Sequence, residues 1–124
     1  MVQDPLFIAP DEKISTTEVL MLKKNIGGLP VVNKNNHIIG IITQRDIRLA
    51  RFAISLDSPY TIVKDLMTPE PHCVEKDVSI REVLDIIFEN NIERLPVVNE
   101  NNKLVGLVLL KDILKKLYLL LKEK

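Results

Sequence analysis

Leu29-Pro30-Val31-Val32-Asn33-Lys34-Asn35-Asn36 and Leu95-Pro96-Val97-Val98-Asn99-Glu100-Asn101-Asn102 are one pattern written twice, 66 positions apart. Each copy opens on an apolar run with paired valines and closes on asparagines, whose side chains tolerate the left-handed backbone of a tight hairpin turn. A second β-branched run follows at 38–43, so the first copy reads as two strands, 29–33 and 38–43, joined by that turn. The second copy repeats the arrangement around Asn99-Glu100-Asn101-Asn102.

Working outward, the 66-residue offset aligns 1–58 with 67–124 without a gap, and sixteen of those 58 pairs are identical. Asn25-Ile26 matches Asn91-Ile92, Gly40 matches Gly106, Asp46-Ile47 matches Asp112-Ile113, and Pro5 matches Pro71. Upstream of the second hairpin, Ile80, Val83, Leu84, Ile87 and Phe88 recur at helical spacing, which predicts an amphipathic helix over 79–91 with Ser79 as its N-cap. The counterpart, 13–25, carries a weaker form of that pattern. Beyond each hairpin a second helix is expected to begin, near Gln44 and near Leu110. The order in each half is strand, helix, strand, strand, helix.

A half of about 60 residues buries too little surface to be comfortably stable alone, so the two are expected to share a core. The expected fold is α+β: two pseudo-twofold-related β-α-β-β-α repeats packed sheet to sheet. Repeat 1 is placed at 1–58, a linker at 59–66 and repeat 2 at 67–124. Ser58-Pro59-Tyr60-Thr61-Ile62, with its helix-ending proline, reads as the crossover.

Seventeen basic and seventeen acidic residues give zero formal charge, so no long-range field draws in nucleic acid or an anionic membrane. The longest apolar runs stop well short of the ~20 residues of a spanning helix. Cys73 is the single cysteine and Met1-Val2-Gln3-Asp4-Pro5 lacks the features of a signal peptide, which together favour a reducing cytoplasm. His37, His72 and Cys73 are the candidate metal ligands by residue type, but none stands in a ligand cluster, and no metal is expected. Cys73 aligns with Phe7, which suggests a packed apolar position. No Ser-His-Asp or Cys-His arrangement, glycine-rich phosphate loop or metal cluster points to catalysis.

The turn Ile26-Gly27-Gly28-Leu29-Pro30, with its copy Ile92-Glu93-Arg94-Leu95-Pro96, and the segment Gly40-Ile41-Ile42-Thr43-Gln44-Arg45-Asp46, with its copy Gly106 to Asp112, resemble the motifs of cystathionine-β-synthase-type (CBS) domains. Both motifs occur twice and in register, so nearly the whole chain resembles the tandem pair called a Bateman module. Gln3-Asp4-Pro5, the segment Gly40 to Ile47, and Asp65-Leu66-Met67-Thr68-Pro69 look most like the regulatory CBS pair of inosine-monophosphate dehydrogenases. The resemblance does not extend to a catalytic barrel, which needs ~250 residues, so it implies a sensor and not an enzyme.

Thr43 and Asp46 straddle the point where a strand feeds a helix, whose N-terminus offers N–H groups and a positive dipole end to phosphate. By resemblance, Asp46 accepts hydrogen bonds from ribose hydroxyls, and Ile26, Leu29 and Pro30 line the base. Arg45 and Arg48 would neutralise phosphate charge. The equivalent second site has Asp112, Pro96, Arg94 and Lys111 but Leu109 in place of Thr43, and is expected to be weak or empty. A structural reading stands beside this one: Thr43-x-x-Asp46 is also a helix-capping pattern, and the turn residues are also ordinary core.

The resemblance thus implies a regulatory module that takes AMP, ADP, ATP or S-adenosylmethionine in clefts between the repeats, needs no cofactor, and acts on an effector protein in trans. The alternative is a structural or dimerisation scaffold with vestigial sites. The segment 113–121 holds more apolar residues than one sheet can cover, which suggests a homodimer.

Overall fold

A computed structural model describes residues 1–54 and 59–123. The expected end of repeat 1 at residue 58, and Ser58 itself, lie outside the described residues, as does residue 124. In chain order the elements are β1 (Val2–Gln3), α1 (Ile14–Lys24), β2 (Gly28–Val32), β3 (Ile38–Thr43), α2 (Gln44–Ile54), α3 (Val63–Leu66), β4 (Thr68–Pro69), β5 (Val74–Glu75), α4 (Ile80–Asn90), β6 (Arg94–Val98), β7 (Leu104–Leu109) and α5 (Leu110–Lys122). The α+β class and the strand, strand, helix order after each first helix are as expected.

The chain forms two compact units, Leu6–Pro71 and Met1–Pro5 with His72–Lys124. In the first, β2 and β3 pair antiparallel, with Gly28 opposite Thr43 and Pro30 opposite Ile41. Asn33 Oδ1 accepts the N–H groups of Asn35 and His37, both at 3.0 Å, and Asn36 takes the left-handed φ of 63°. An asparagine side chain thus replaces a missing backbone partner in the turn, which is why asparagine recurs there. The apolar faces of the strands and helices close on Met21, Leu29, Val31, Ile42, Ile47 and Val63. Thr17, buried on α1, satisfies its hydroxyl by donating to the Lys13 carbonyl at 3.0 Å.

In the second unit the strand order is β1-β7-β6-β5, and β5 runs parallel to β6. Val74, Val83, Ile87, Leu95 and Val97 form its core. Ser79 caps α4, its Oγ accepting from Glu82 N at 3.1 Å. Asn99 and Asn102 rebuild the hairpin turn: Asn99 Oδ1 accepts from Asn101 N and Lys103 N, and Asn102 has φ 61°.

The strand that opens each sequence repeat is delivered to the other repeat's hairpin. β1 pairs with β7 through Val2 and Leu107, and β4 pairs with β3 through Thr68 and Ile41. The two glycines at equivalent positions make room for it. A Cβ on Gly40 would meet Met67 Sδ at 2.5 Å and the Thr68 carbonyl at 3.0 Å; one on Gly106 would meet Met1 Sδ at 2.7 Å and the Val2 carbonyl at 3.3 Å. The stretch 59–66 also differs from a plain connector. Val63 is fully buried in the first core, its N–H donates to Glu12 O at 2.9 Å, and Ile14 N donates to Thr61 O at 3.2 Å. A four-residue helix is too short to leave a periodicity in sequence, whereas its buried valine ties it to the first unit.

Candidate functional site

At the β3–α2 junction, Thr43 and Asp46 bond reciprocally. Asp46 Oδ2 accepts from Thr43 N at 2.9 Å, and Thr43 Oγ1 accepts from Asp46 N at 3.1 Å. This is a complete capping box, so the capping role weighed from sequence is realised. The box engages Asp46 Oδ2, and a carboxylate carries about four acceptor sites, so acceptor capacity remains. Gln44 N donates to Gly27 O at 2.9 Å. With the Asp46 amide also used, the helix end has less to offer a phosphate than its dipole alone suggests.

Gln44 is the residue that sequence reasoning missed. Its Nε2 donates to Ile26 O at 3.1 Å and so ties the helix-to-strand turn to the start of α2. It stands inside the Gly40–Asp46 motif, but its partner is not legible there, because the contact spans 18 residues and the second repeat has Leu110 at that place. The turn itself begins on Asn25, which caps α1 in the left-handed region at φ 52°, as Asn91 caps α4 at φ 53°. The paired asparagines visible in sequence are thus helix stops.

The predicted base-contacting residues separate. Ile26 is half-buried at the turn. Leu29 is 1% exposed within the core, and Pro30 and Pro96 are as fully enclosed. Their side chains are committed to packing in this state. Arg45 is exposed on the first turn of α2.

The second repeat departs at two positions that face each other. Gly28 lies opposite Thr43, but Arg94 lies opposite Leu109. Directly opposed residues carry their Cβ atoms about 5 Å apart on the same face. The first repeat therefore presents a hydroxyl beside a position without a side chain, and the second presents an apolar chain beside an arginine. Leu109 offers no side-chain hydrogen bond to cap α5, and Asp112 is half-buried one turn on.

Cys73 is half-buried, and burial pushes its thiol pKa up, so the unreactive protonated form is favoured. Among the described residues, no group of three or more His, Cys, Asp or Glu could hold a metal ion, and no helix is long and apolar enough to cross a membrane.

Comparison with known proteins follows the same lines. The profile of the CBS domain matches residues 1–52 and 63–119. The chain is 34% identical over 116 residues to inosine-5'-monophosphate dehydrogenase of Methanocaldococcus jannaschii, covering 94% of this chain and 22% of that protein. It is 38% identical over 120 residues to the enzyme of Bifidobacterium longum, covering 93% and 21%. The chain thus spans about a fifth of the length of these relatives. Among solved structures, CBSX2 from Arabidopsis thaliana in complex with AMP superposes with a TM-score of 0.85 at 24% identity, covering 97% of this chain and 93% of that one, a likeness of fold. With both repeats matched, the chain belongs to the CBS-domain family and is a pair of such domains, a regulatory module.

Proposed function

We propose that this pair is a sensor without catalytic activity, which binds an adenine nucleotide or S-adenosylmethionine at the Thr43–Asp46 junction of the first repeat and only weakly at Asp112. The observation that carries the reading is the pairing of Thr43 and Asp46 with the side-chain-free Gly28 opposite, replaced by Leu109 and Arg94 in the second copy. The carboxylate of Asp46 would accept from the ribose, Ile26 would flank the base, and Arg45 would meet phosphate. AMP bound to CBSX2 supports an adenine ligand. The relatives' dehydrogenase chemistry is not carried over, because the match covers about a fifth of those proteins.

The module would act in the cytoplasm on an effector protein, as a homodimer. Leu114, Leu117, Tyr118 and Leu121 lie at helical spacing on α5 and are all more than half exposed, which supports a second copy as their cover. The second reading is a scaffold with vestigial sites. It is favoured by the use of Asp46 Oδ2 in capping and by the closure of Leu29, Pro30 and Pro96.

Isothermal titration with AMP, ADP, ATP and S-adenosylmethionine separates the two. The sensor reading expects saturable binding that Asp46→Ala weakens by more than about tenfold, or about 1.4 kcal/mol, with a smaller loss for Asp112→Ala. Light scattering on the same samples should give the mass of a dimer. Absence of binding by all four compounds would favour the scaffold.

A further inference from the structure

The first repeat contains a concavity of about 1000 Å³ at the opposite end of its sheet from Thr43. That is the upper end of small-molecule site volumes. Phe7, Pro10 and Ile62 give it apolar walls, the Asn33–Asn36 turn closes one side, and among the described lining residues Lys34 and Lys64 bring two cations against the acid Asp11. The six residues of β3 place it roughly 20 Å from the Thr43–Asp46 junction, at ~3.4 Å per residue.

Three features distinguish it from an accidental dent. Its frame is fixed: Lys64 N donates to Pro10 O at 2.9 Å, Ile8 N to Pro30 O at 3.0 Å, and Val32 N to Ile8 O at 3.0 Å. Phe7 is 54% exposed at its wall, an aromatic surface that the fold itself does not cover. Most telling, the second repeat keeps the turn but not the lining. Asn33 and Asn36 persist as Asn99 and Asn102, whereas Phe7, Ala9 and Pro10 become Cys73, Glu75 and Lys76, and Lys34 becomes Glu100. At the equivalent positions one lysine and one acid, Lys34 and Asp11, thus stand against one lysine and three acids, Lys76 with Glu75, Asp77 and Glu100, in the second copy. Ile62 and Lys64 have no counterpart, because they belong to the stretch between repeats. The turn's own geometry requires neither the aromatic wall nor the positive balance.

We propose that this concavity is a second binding site, separate from the Thr43–Asp46 junction, for a small organic anion with a planar apolar body, an aryl carboxylate or aryl phosphate. The ring would lie against Phe7, Pro10 and Ile62, and the acidic group would be met by Lys34 and Lys64. Asp11 sets a limit on how much negative charge the site accepts.

The test is an amide-resolved NMR titration of the whole chain with phenyl phosphate, beside inorganic phosphate and benzyl alcohol. Phenyl phosphate should saturate shifts in 7–11, 33–36 and 62–64 and bind more tightly than either half-probe. Lys34→Glu should weaken it by about tenfold and Phe7→Ala should also weaken it, while Asp11→Asn should strengthen it. Folding of the first two variants is supported by Glu100 and the small Cys73 at the equivalent places in the second repeat. Shifts centred on 43–46, shifts unaffected by Lys34→Glu, or benzyl alcohol binding as well as phenyl phosphate would each overturn the proposal.

Discussion

The two repeats share a backbone and divide their helix caps crosswise. The first leaves α1 behind Lys13, which offers no side-chain cap, and closes α2 with the Thr43–Asp46 box. The second caps α4 with Ser79 and leaves α5 behind Leu109. Cap for cap, each half is as well supplied as the other, so stability alone does not explain where each cap went. The difference lies at the strand-to-helix junction, where Thr43 faces Gly28 and Leu109 faces Arg94. The duplicated halves keep their turns and core but differ at this junction, where a hydroxyl faces a glycine in one and a leucine faces an arginine in the other.

The largest effects should come from the glycines that receive the exchanged strands. Gly40→Ala is expected to cost about 1–3 kcal/mol, because the added methyl meets the Thr68 carbonyl at 3.0 Å as well as the movable Met67 side chain. Gly106→Ala should cost less, since its nearest carbonyl is 3.3 Å away. Urea unfolding of both variants checks the order, and equal losses would mean that the two exchanged strands yield alike.

Next come the caps. Thr43→Ala and Ser79→Ala should each destabilise by about 1 kcal/mol, read from thermal melts without ligand. A much larger loss for Thr43→Ala would show that the box also holds the Gln44–Ile26 turn in place. The smallest effect is a gain. Lys13 already has the extended backbone of a cap, φ −69° and ψ 144°, so Lys13→Ser should stabilise by about 0.5 kcal/mol. No gain would mean that the α1 N-terminus is already secured by Ile14 N donating to the Thr61 carbonyl.

Much of this was legible because it is local or repeated. The Val31-Val32 and Val97-Val98 runs, the asparagine turns and the Ser79 cap depend on contacts within a few residues, and their appearance twice in register fixed the pairing. The site was legible in part. Thr43 and Asp46 were found as a pattern, and the structure joins them. Gln44 was not found, since its partner Ile26 is close only across the folded turn, and the burial of Leu29 and Pro30 could not be told from exposure by residue type alone.

The sequence by itself determined the duplication, the helix-strand-strand-helix order within each repeat and the family, because periodicity, turn chemistry and motif spacing can be read along the chain, whereas the short α3 and β5 left no such mark. Only the tertiary structure decided that β1 and β4 cross to the other repeat's hairpin, that Val63 draws the presumed linker into the first core, and that Arg94 stands across from Leu109. Those outcomes turn on which surfaces meet after the chain folds back, and no local pattern encodes that meeting.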